Sequence, residues 1–538
     1  MAGEHIGEFT HLSGTPPPER RTDSSLAELL CALSFASGLA LGGRMEHGIG
    51  SAYIGLRIAG ALGLPEEDRE AIYYGALIKD AGCTACSIIF DAFFPNDEVV
   101  PLALFMIPDE RRMGELMAWM SRGIPKDKRL ALRLAKLLPM MLQCGAVMRE
   151  TRATHSEVGE MFARRLGFGE HVQRAVRLQG ERSDGRGVAY SLPGDQIPAA
   201  ARVLSVARVT EACHGFEGRA CALEQARKGA GGRFDPDVVA AFLELAQQDE
   251  FWEPLEKDTR QETVLAMRPS TSAEVRTEEQ LDAVCEALAD FVDFRSTPRW
   301  NHSTEVAEQA VALAGRLGLS QAEQRRTRRA ALLHDLGMVA VPVGVAAKQD
   351  RLSTAEQEQL RLHAYYTGRV LERVAPLQSL ALEASSDHEW FNGQGYHRRL
   401  AGESIPLIGR IIAAAEAWTN LTEEDAIQAE DQLARFRSLS GNQLDPVCCE
   451  ALEQIAVGSP APKPLRRPAS SDKLTDREIE VLNLLAHGLS NRQIAGALVI
   501  SNKTVEHHLE HIYDKLDIST RTSAVAYAIH HGLVSAGA

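Results

Sequence analysis

Seven side chains between positions 302 and 416 have the types and the order of a metal centre. They are His302, the adjacent pair His334-Asp335, His363, the adjacent pair Asp387-His388, and Glu416. Imidazole nitrogens and carboxylate oxygens, with no thiolate among them, suit hard or borderline divalent ions such as Mn, Fe, Mg or Zn. An adjacent His-Asp pair on one helix can aim one nitrogen and one bridging oxygen at a common point. Histidines from other helices can then complete one or two metals inside a bundle. Asp335 is the candidate catalytic carboxylate. Any one of these histidines alone would be read as an ordinary polar residue; it is their succession that points to a site.

These residues fall in the second of two related stretches. MEHGIGSAYIGLRIAGALGLPEEDREAIYYGALIKDAG, around His47, runs parallel to WNHSTEVAEQAVALAGRLGLSQAEQRRTRRAALLHDLG, around His302. His47 and His302, and likewise Asp80 and Asp335, stand 255 positions apart. Further on the offset is 208, pairing His155 with His363, Glu181 with Glu389 and Arg202 with Arg410, so the first stretch holds a 47-residue insertion between Gly82 and His155. Each stretch nears its end at an Asp-Pro, in GGRFDPDVVAAF and GNQLDPVCCEAL. Register kept across so many landmarks indicates a duplicated domain of roughly 200 residues per copy.

The first copy keeps only His47, Asp80 and His155. Lys79 stands where His334 does, Gln179 and Gly180 where Asp387 and His388 do, and Arg208 where Glu416 does. Two cations at ligand positions repel a divalent ion and can instead pair with Asp80. This copy is therefore expected to be metal-free, either a structural partner or a ligand sensor. Cys83-x-x-Cys86 has the spacing of a redox or zinc half-site, but no second pair stands at matching spacing, and it is read as two cysteines near a helix end.

The elements that must position these residues are helices. Apolar residues recur at three- and four-residue spacing, as at Val306, Ala310, Leu313 and Leu317, with Gly318 as a stop. No stretch alternates long enough to predict an extensive sheet. The apolar run 26–43 contains Glu28 and several Ser and Gly, and it pairs with LDAVCEALADFVDF ahead of the second copy; it is expected to be a buried helix and not a membrane span. The first 24 residues, with Pro16-Pro17-Pro18, read as a disordered tail, and AVGSPAPKPLRRPASSDK, within 456–473, as a linker.

At 538 residues the chain has room for about three or four domains. Its 45% hydrophobic and 24% charged residues are those of a globular protein with ample core. With 58 Lys+Arg against 73 Asp+Glu the net charge is -15, which excludes a general basic coat, so any nucleic-acid contact must be local. Nine scattered cysteines and no signal peptide argue for a reducing cytoplasm and a soluble protein.

The second copy resembles the HD-GYP branch of the HD phosphohydrolase superfamily across 279–455, and the first does so in degraded form across 25–250. The resemblance rests on His302, HDLGMVAVP (334–342), LSTAE (352–356), His363, DHEWFNGQGYHRRLAGESIPLIGRI (387–411) and Glu416. It implies a helical bundle around a two- or three-metal centre that hydrolyses cyclic di-GMP. Four positions depart from the family pattern. Met338 stands where a phosphate-holding lysine is expected, Asp387 where the first of two histidines is, His397 where the proline of Gly-Tyr-Pro is, and Glu416 where the last metal aspartate is. Asp387 and Glu416 keep oxygen ligands, whereas Met338 removes a cation.

The last 60 or so residues follow another pattern. Thr475 with Glu478 forms a capping box before an apolar helix closed by Gly488, Ser490 caps Asn491–Leu498, and Ser501 precedes a helix from Asn502 to Leu516, with a fourth near 522–531. The short connection Val499-Ile500-Ser501 predicts a helix-turn-helix. The LT-x-RE, LSNRQIA, S-x-KTV-x-x-HL and KL signatures resemble the LuxR/NarL-type DNA-binding domain over 474–534. That resemblance makes 502–516 the recognition helix of a dimer on double-stranded DNA. Lys503 and Thr504 would meet phosphate, Glu506, His507 and Glu510 would face the groove, and Lys515 and Arg521 would reach the backbone. The module has five Lys/Arg and seven Asp/Glu, so help is expected from dimerisation or from Lys463, Arg466 and Arg467 of the linker.

The expected protein is all-α: two HD-type bundles (25–250 and 275–455), a linker (456–473) and a helix-turn-helix domain. Two functions compete. One is a homodimeric transcription regulator sensing a nucleotide such as cyclic di-GMP through the metal pocket; the other is a metal-dependent phosphohydrolase with a DNA-binding tail. Met338 favours the first, and the intact His302, His334, Asp335 and His363 keep the second open. A pure scaffold would need both sites to be vestigial.

Overall fold

The computed structural model describes residues 24–40, 46–82, 130–257, 259–269, 277–294, 301–346, 351–423, 429–458 and 474–530, with isolated positions at 107–109, 111, 112, 114, 115, 274, 275, 348 and 533. Residues 1–23 of the expected tail, Cys83 and Cys86, and the linker cations Lys463, Arg466 and Arg467 lie outside the described residues, while Ser24, the last residue of that expected tail, is part of a strand.

The described chain is helical apart from one two-residue ribbon, Ser24–Ser25 (β1) antiparallel to Glu274–Val275 (β2). An N-terminal unit contains α1 (Leu26–Ala40), α2 (His47–Ala61), α3 (Glu66–Ile78), the long α4 (Leu130–Arg165), α5 (Glu170–Leu178), α6 (Ala199–Glu217), α7 (Arg219–Gly229) and α8 (Pro236–Leu245). Its packing continues past the expected boundary at 250. Phe251, Trp252 and Leu255 of α9 (Asp249–Glu256) are buried, and α10 (Arg260–Ala266) lies against α2.

The second unit runs through α11 (Glu278–Asp293), α12 (His302–Arg316), α13 (Gln321–Leu332), the 3₁₀ turn Leu336–Ala340, α14 (Thr354–Glu372), α15 (Leu407–Glu423), α16 (Ala429–Leu439) and α17 (Pro446–Gly458). Capping boxes start three of these helices: Thr277 with Gln280, Ser320 with Glu323, and Ser353 with Glu356. Each satisfies orphan amides at a helix start and fixes where the helix begins. Gly318, at φ +80, closes the turn after α12 as expected.

Helix α1 shows why the run 26–43 is so apolar. It packs on α2 and α3 of its own unit and also on the 3₁₀ turn 336–340 and α14 of the next, and of the side chains described at 26–36 all but Glu28 are buried. A helix apolar on all sides belongs inside a core, and no helix among the described residues is long and apolar enough to cross a membrane. Cys31, Cys213, Cys221, Cys285, Cys448 and Cys449 are free and buried.

The paired landmarks occupy matching places. Glu181 accepts from the amides of Tyr190 and Leu192, and Glu389 from those of Arg398 and Leu400. Arg202 pairs with Asp235, and Arg410 with Asp445. Gly82 lies so close to the backbone at His155 that a β-carbon would collide with it, and Gly337 meets the backbone at His363 in the same way.

The C-terminal domain comprises α18 (Asp476–Ala486), α19 (Asn491–Leu498), α20 (Asn502–Leu516) and α21 (Arg521–His530). Thr475, Ser490 and Ser501 cap the first three as the sequence predicts. Val499 makes the turn in the left-handed region, at φ 54. The domain rests on α4 and α5 of the N-terminal unit.

Candidate metal centre

Each expected ligand is delivered by a separate element. His302 opens α12, His334 and Asp335 stand between α13 and the 3₁₀ turn, His363 lies inside α14, Asp387-His388 follow the short helix Ala381–Ala384, and Glu416 lies within α15. Thr367 fastens two of these together. Its hydroxyl accepts from the amide of Gly337 (2.8 Å) and donates to the carbonyl of His334 (2.8 Å), holding the His-Asp turn against α14.

The structure brings all seven residues together, with His388 partly exposed and the others buried. Ligand atoms of His302, His334 and Asp335 lie within 4.8 Å of one another, as do those of His363, Asp387 and His388. Asp335 faces both groups: Oδ2 is 3.8 Å from His334 Nε2, and Oδ1 is 3.6 Å from His363 Nε2. Glu416 Oε2 lies 2.8 Å from His302 Nε2 and 3.1 Å from His334 Nε2, and its Oε1 accepts from Asn420. His334 and His363 each direct Nδ1 at the carbonyl three residues back, Ala331 (2.7 Å) and Leu360 (2.5 Å), which turns Nε2 into the cluster. Outer hydrogen bonds of this kind set the tautomer and aim of a metal-binding histidine.

Two observations test whether these residues fit a cation. Nε2 of His363 and both carboxylate oxygens of Asp387 are buried without a hydrogen-bond partner, a costly arrangement unless something else satisfies them. The charge balance points the same way. Burial favours neutral His334, but Asp335, Glu416 and Asp387 overcome it and push the imidazole up to about 9. Burial likewise opposes a charged His363, and Asp387 and Asp335 raise it nonetheless. Glu416 is held well below the ordinary carboxylate range against burial, by His302 and His334. A cluster that draws protons onto buried imidazoles has negative charge to spare, which a divalent cation would neutralise. The donor set therefore fits a divalent metal.

Met338 sits in the 3₁₀ turn with only 8% of its surface exposed, packed in the apolar core. Around the cluster, Tyr396 stacks on His388 (5.0 Å between centroids, 20°) and the Arg361 guanidinium lies 5.5 Å from the Tyr396 ring. Sequence reasoning missed Asp293, which accepts from the amide (3.1 Å) and hydroxyl (2.8 Å) of Ser303 and so anchors the start of α12 at His302. Asp293 ends α11, well ahead of the start of α12, so no local spacing in the sequence marked it.

The corresponding place in the N-terminal unit is chemically inverted. Lys79, fully buried, pairs with Asp80 as expected from the sequence, and Gln179 donates to the Lys79 carbonyl (3.2 Å). Burial would raise Asp80, but Lys79 and then His47 hold it down to about 2. His155 is pushed down to about 3, first by burial and further by Arg208, Arg152 and Lys79 against the pull of Asp80. Arg208 is also buried. The carboxylate that bonds His47 is Glu211, one helical turn beyond Arg208, with Arg260 3.8 Å away on its other side. Glu211 was missed because it matches Thr419 in the paired register, so only the three-residue step along the helix from Arg208 reveals it.

In the C-terminal domain, Lys503, Thr504, Glu506, His507 and Glu510 are exposed along α20. Lys515 and Arg521 are placed differently. Lys515 pairs with both oxygens of the buried Glu478 (2.8 and 2.7 Å), and Arg521 donates to the Leu489 carbonyl and Asn491, so both side chains are engaged within the domain.

In this chain a helical frame around a His/Asp/Glu cluster is joined to a helix-turn-helix domain. The chain accordingly carries an HD domain over residues 285–447 and a domain of the bacterial regulatory proteins, luxR family, over 472–528. It is 26% identical over 452 residues to the 3'3'-cGAMP-specific phosphodiesterase 3 of Vibrio cholerae, a match covering 83% of this chain and 98% of the relative. A crystal structure of a cyclic GMP-AMP-specific phosphodiesterase from V. cholerae superposes with a TM-score of 0.57 at 24% identity, covering 81% of this chain and 99% of that one. The C-terminal domain is 45% identical over 69 residues to the response regulator protein VraR of Staphylococcus aureus, across 13% of this chain and 33% of that protein.

Proposed function

We propose that this protein is a cytoplasmic DNA-binding regulator that responds to a cyclic dinucleotide through a divalent-metal pocket in its HD domain, with a degenerate HD copy ahead of it. The observation that carries this is the orphaned, buried pair His363 and Asp387 beside His302, His334, Asp335, His388 and Glu416, in one chain with a luxR-type domain. His302, His334, Asp335 and Glu416 would hold one ion, and His363, Asp387 and His388 a second, with Asp335 shared. When bound, such ions supply Lewis-acid activation of phosphate and a lowered pKa for water. The protein's own part is to aim Nε2 of His334 and His363 inward, exclude bulk water, and offer Tyr396 at the cluster. The relative matched over 83% of this chain is a 3'3'-cGAMP-specific enzyme, so that dinucleotide joins cyclic di-GMP as a candidate ligand.

A second reading, a working phosphodiesterase, is favoured by the completeness of the ligand set. Met338 weighs against it. Charge builds on phosphate oxygens during hydrolysis, and a buried thioether offers it nothing; losing one preorganised charge contact costs about 10²–10³ in rate. The test is binding and hydrolysis of 3'3'-cGAMP and cyclic di-GMP by the Mn-loaded protein beside Met338→Lys. Binding with slow turnover that rises in the variant supports the regulator; fast wild-type turnover makes it an enzyme; no binding of either removes cyclic dinucleotides as the signal.

A further inference from the structure

Helix α4 has two working faces. Its inner face brings His155 to the Lys79–Asp80 pocket, where Gly82 allows the backbone no slack. Its outer face holds the C-terminal domain. Thr154 Oγ1 lies 3.0 Å from Thr520 Oγ1, Ser519 donates to Glu157 Oε1 (2.6 Å), and Val158 and Met161 join the hydrophobic core of the helix-turn-helix. From α5, Arg177 donates to the Asp517 carboxylate (2.6 Å) and carbonyl (3.3 Å). Thr154, Glu157 and Val158 are at most 1% exposed, so the centre of the contact is buried, while Asp517 and Ser519 at its edge are exposed.

Among the described residues the HD domain shows no such dock. At the 208-residue offset, Thr154 and Glu157 correspond to Leu362 and Tyr365 of α14, which are 45% and 41% exposed. The HD domain's contribution to the core of the helix-turn-helix is Phe294.

The pocket on the inner face is built to change. His47 Nε2, Asp80 Oδ1 and Gln179 Oε1 are buried there without hydrogen-bond partners, and next to Gln179 the partly exposed Gly180 has nothing within 4 Å of where a β-carbon would stand. Buried acceptors left unsatisfied suit a polar guest carrying N–H donors, as a nucleobase edge does. Because packed interiors shift between discrete arrangements and do not deform smoothly, a change at His155 is passed along α4.

We propose that the N-terminal unit sets the position of the DNA-binding domain, with α4 reading the Lys79–Asp80 pocket on one face and holding the helix-turn-helix on the other. This goes beyond the metal-pocket reading and stands whether or not the HD domain binds metal.

The experiment is a cross-link in the full chain. Thr154→Cys/Thr520→Cys should form an intramolecular disulfide under mild oxidation, absent from the unsubstituted protein. Adding Lys79→Met/Asp80→Asn, which removes both charges together, should change the cross-linking rate about fivefold or more. His334→Ala/Asp335→Ala should leave it within about twofold. If the pocket variant loses its cooperative melt, Gly180→Ser, which fits the open space, takes its place and should shift the rate about twofold or more. No cross-link at all overturns the dock; equal effects from pocket and metal-site variants, or none from the pocket variants, overturn the relay.

Discussion

The pocket at Lys79–Asp80 and the cluster at His334–Asp335 share a helical frame and answer the same electrostatic problem in opposite ways. In the HD domain three carboxylates face four imidazoles, and the surplus negative charge pulls His334 up to about 9. In the N-terminal unit an ammonium stands beside the aspartate, Asp80 falls to about 2, and His155 falls to about 3. A buried carboxylate at the end of this helix needs a compensating cation. In the N-terminal unit Lys79 supplies that charge, Glu211 keeps a carboxylate on His47 one turn away from Arg208, and Gly82 keeps the close packing against His155.

The largest effect expected from this contrast is on metal content. His334→Ala/Asp335→Ala should take bound Mn or Fe from its full stoichiometry to near zero, while Asp80→Asn leaves it unchanged, both read by elemental analysis of the full chain. Metal retained by the first variant would break the assignment of the site.

Stability should show the reverse dependence. Lys79→Met keeps the buried volume but strands Asp80 without its principal counter-charge, which costs about 3–5 kcal/mol, whereas Lys79→Met/Asp80→Asn should cost clearly less because both charges leave together. Urea melts of the two variants decide this; equal losses would mean that Asp80 does not depend on the Lys79 charge.

The pH dependences should also run in opposite directions. His155 has a folded value of about 3, below its ordinary 6.5, so the unfolded chain takes the proton first. Its contribution to stability is present above pH 6.5 and is lost as pH falls towards 3. His334, raised to about 9 in the metal-free cluster, contributes fully below pH 6.5 and loses that contribution as pH rises through 9. His155→Gln should flatten the acid limb of a pH–melting profile of metal-free protein, and His334→Gln the alkaline limb. Flattening of the same limb by both would contradict the inversion.

Much of this contrast was legible in the sequence because it follows local rules. Capping residues placed helix starts at Thr475, Ser490 and Ser501, and the His/Asp spacings gave a cluster that the fold gathers into one place. Contacts that depend on three-dimensional neighbours were not legible. Glu211 moved one turn along its helix and so left the register that paired the two stretches. The partnership of Thr154 with Thr520 joins residues 366 positions apart, and no local pattern marks either as an interface residue. Lys515, expected at DNA, is drawn to Glu478, whose burial could not be read from the sequence.

That last difference gives the smallest and most discriminating effect. Lys503 is exposed at the start of α20, where a cation meets a phosphate, whereas Lys515 is engaged with a carboxylate that is only 3% exposed. Burial alone would raise Glu478, and Lys515 together with the Thr475 cap brings it below the ordinary value, so removing Lys515 leaves a charge with a weakened partner. Lys503→Ala should therefore weaken DNA binding across all sequences and reduce the slope of log affinity against log salt by about one, with the melt unchanged. Lys515→Ala should lower the melting temperature of the full chain's C-terminal domain and leave the salt slope nearly as it was. A drop of about one in the slope for Lys515→Ala, with no loss of stability, would show that the lysine leaves Glu478 for the phosphate backbone when DNA arrives.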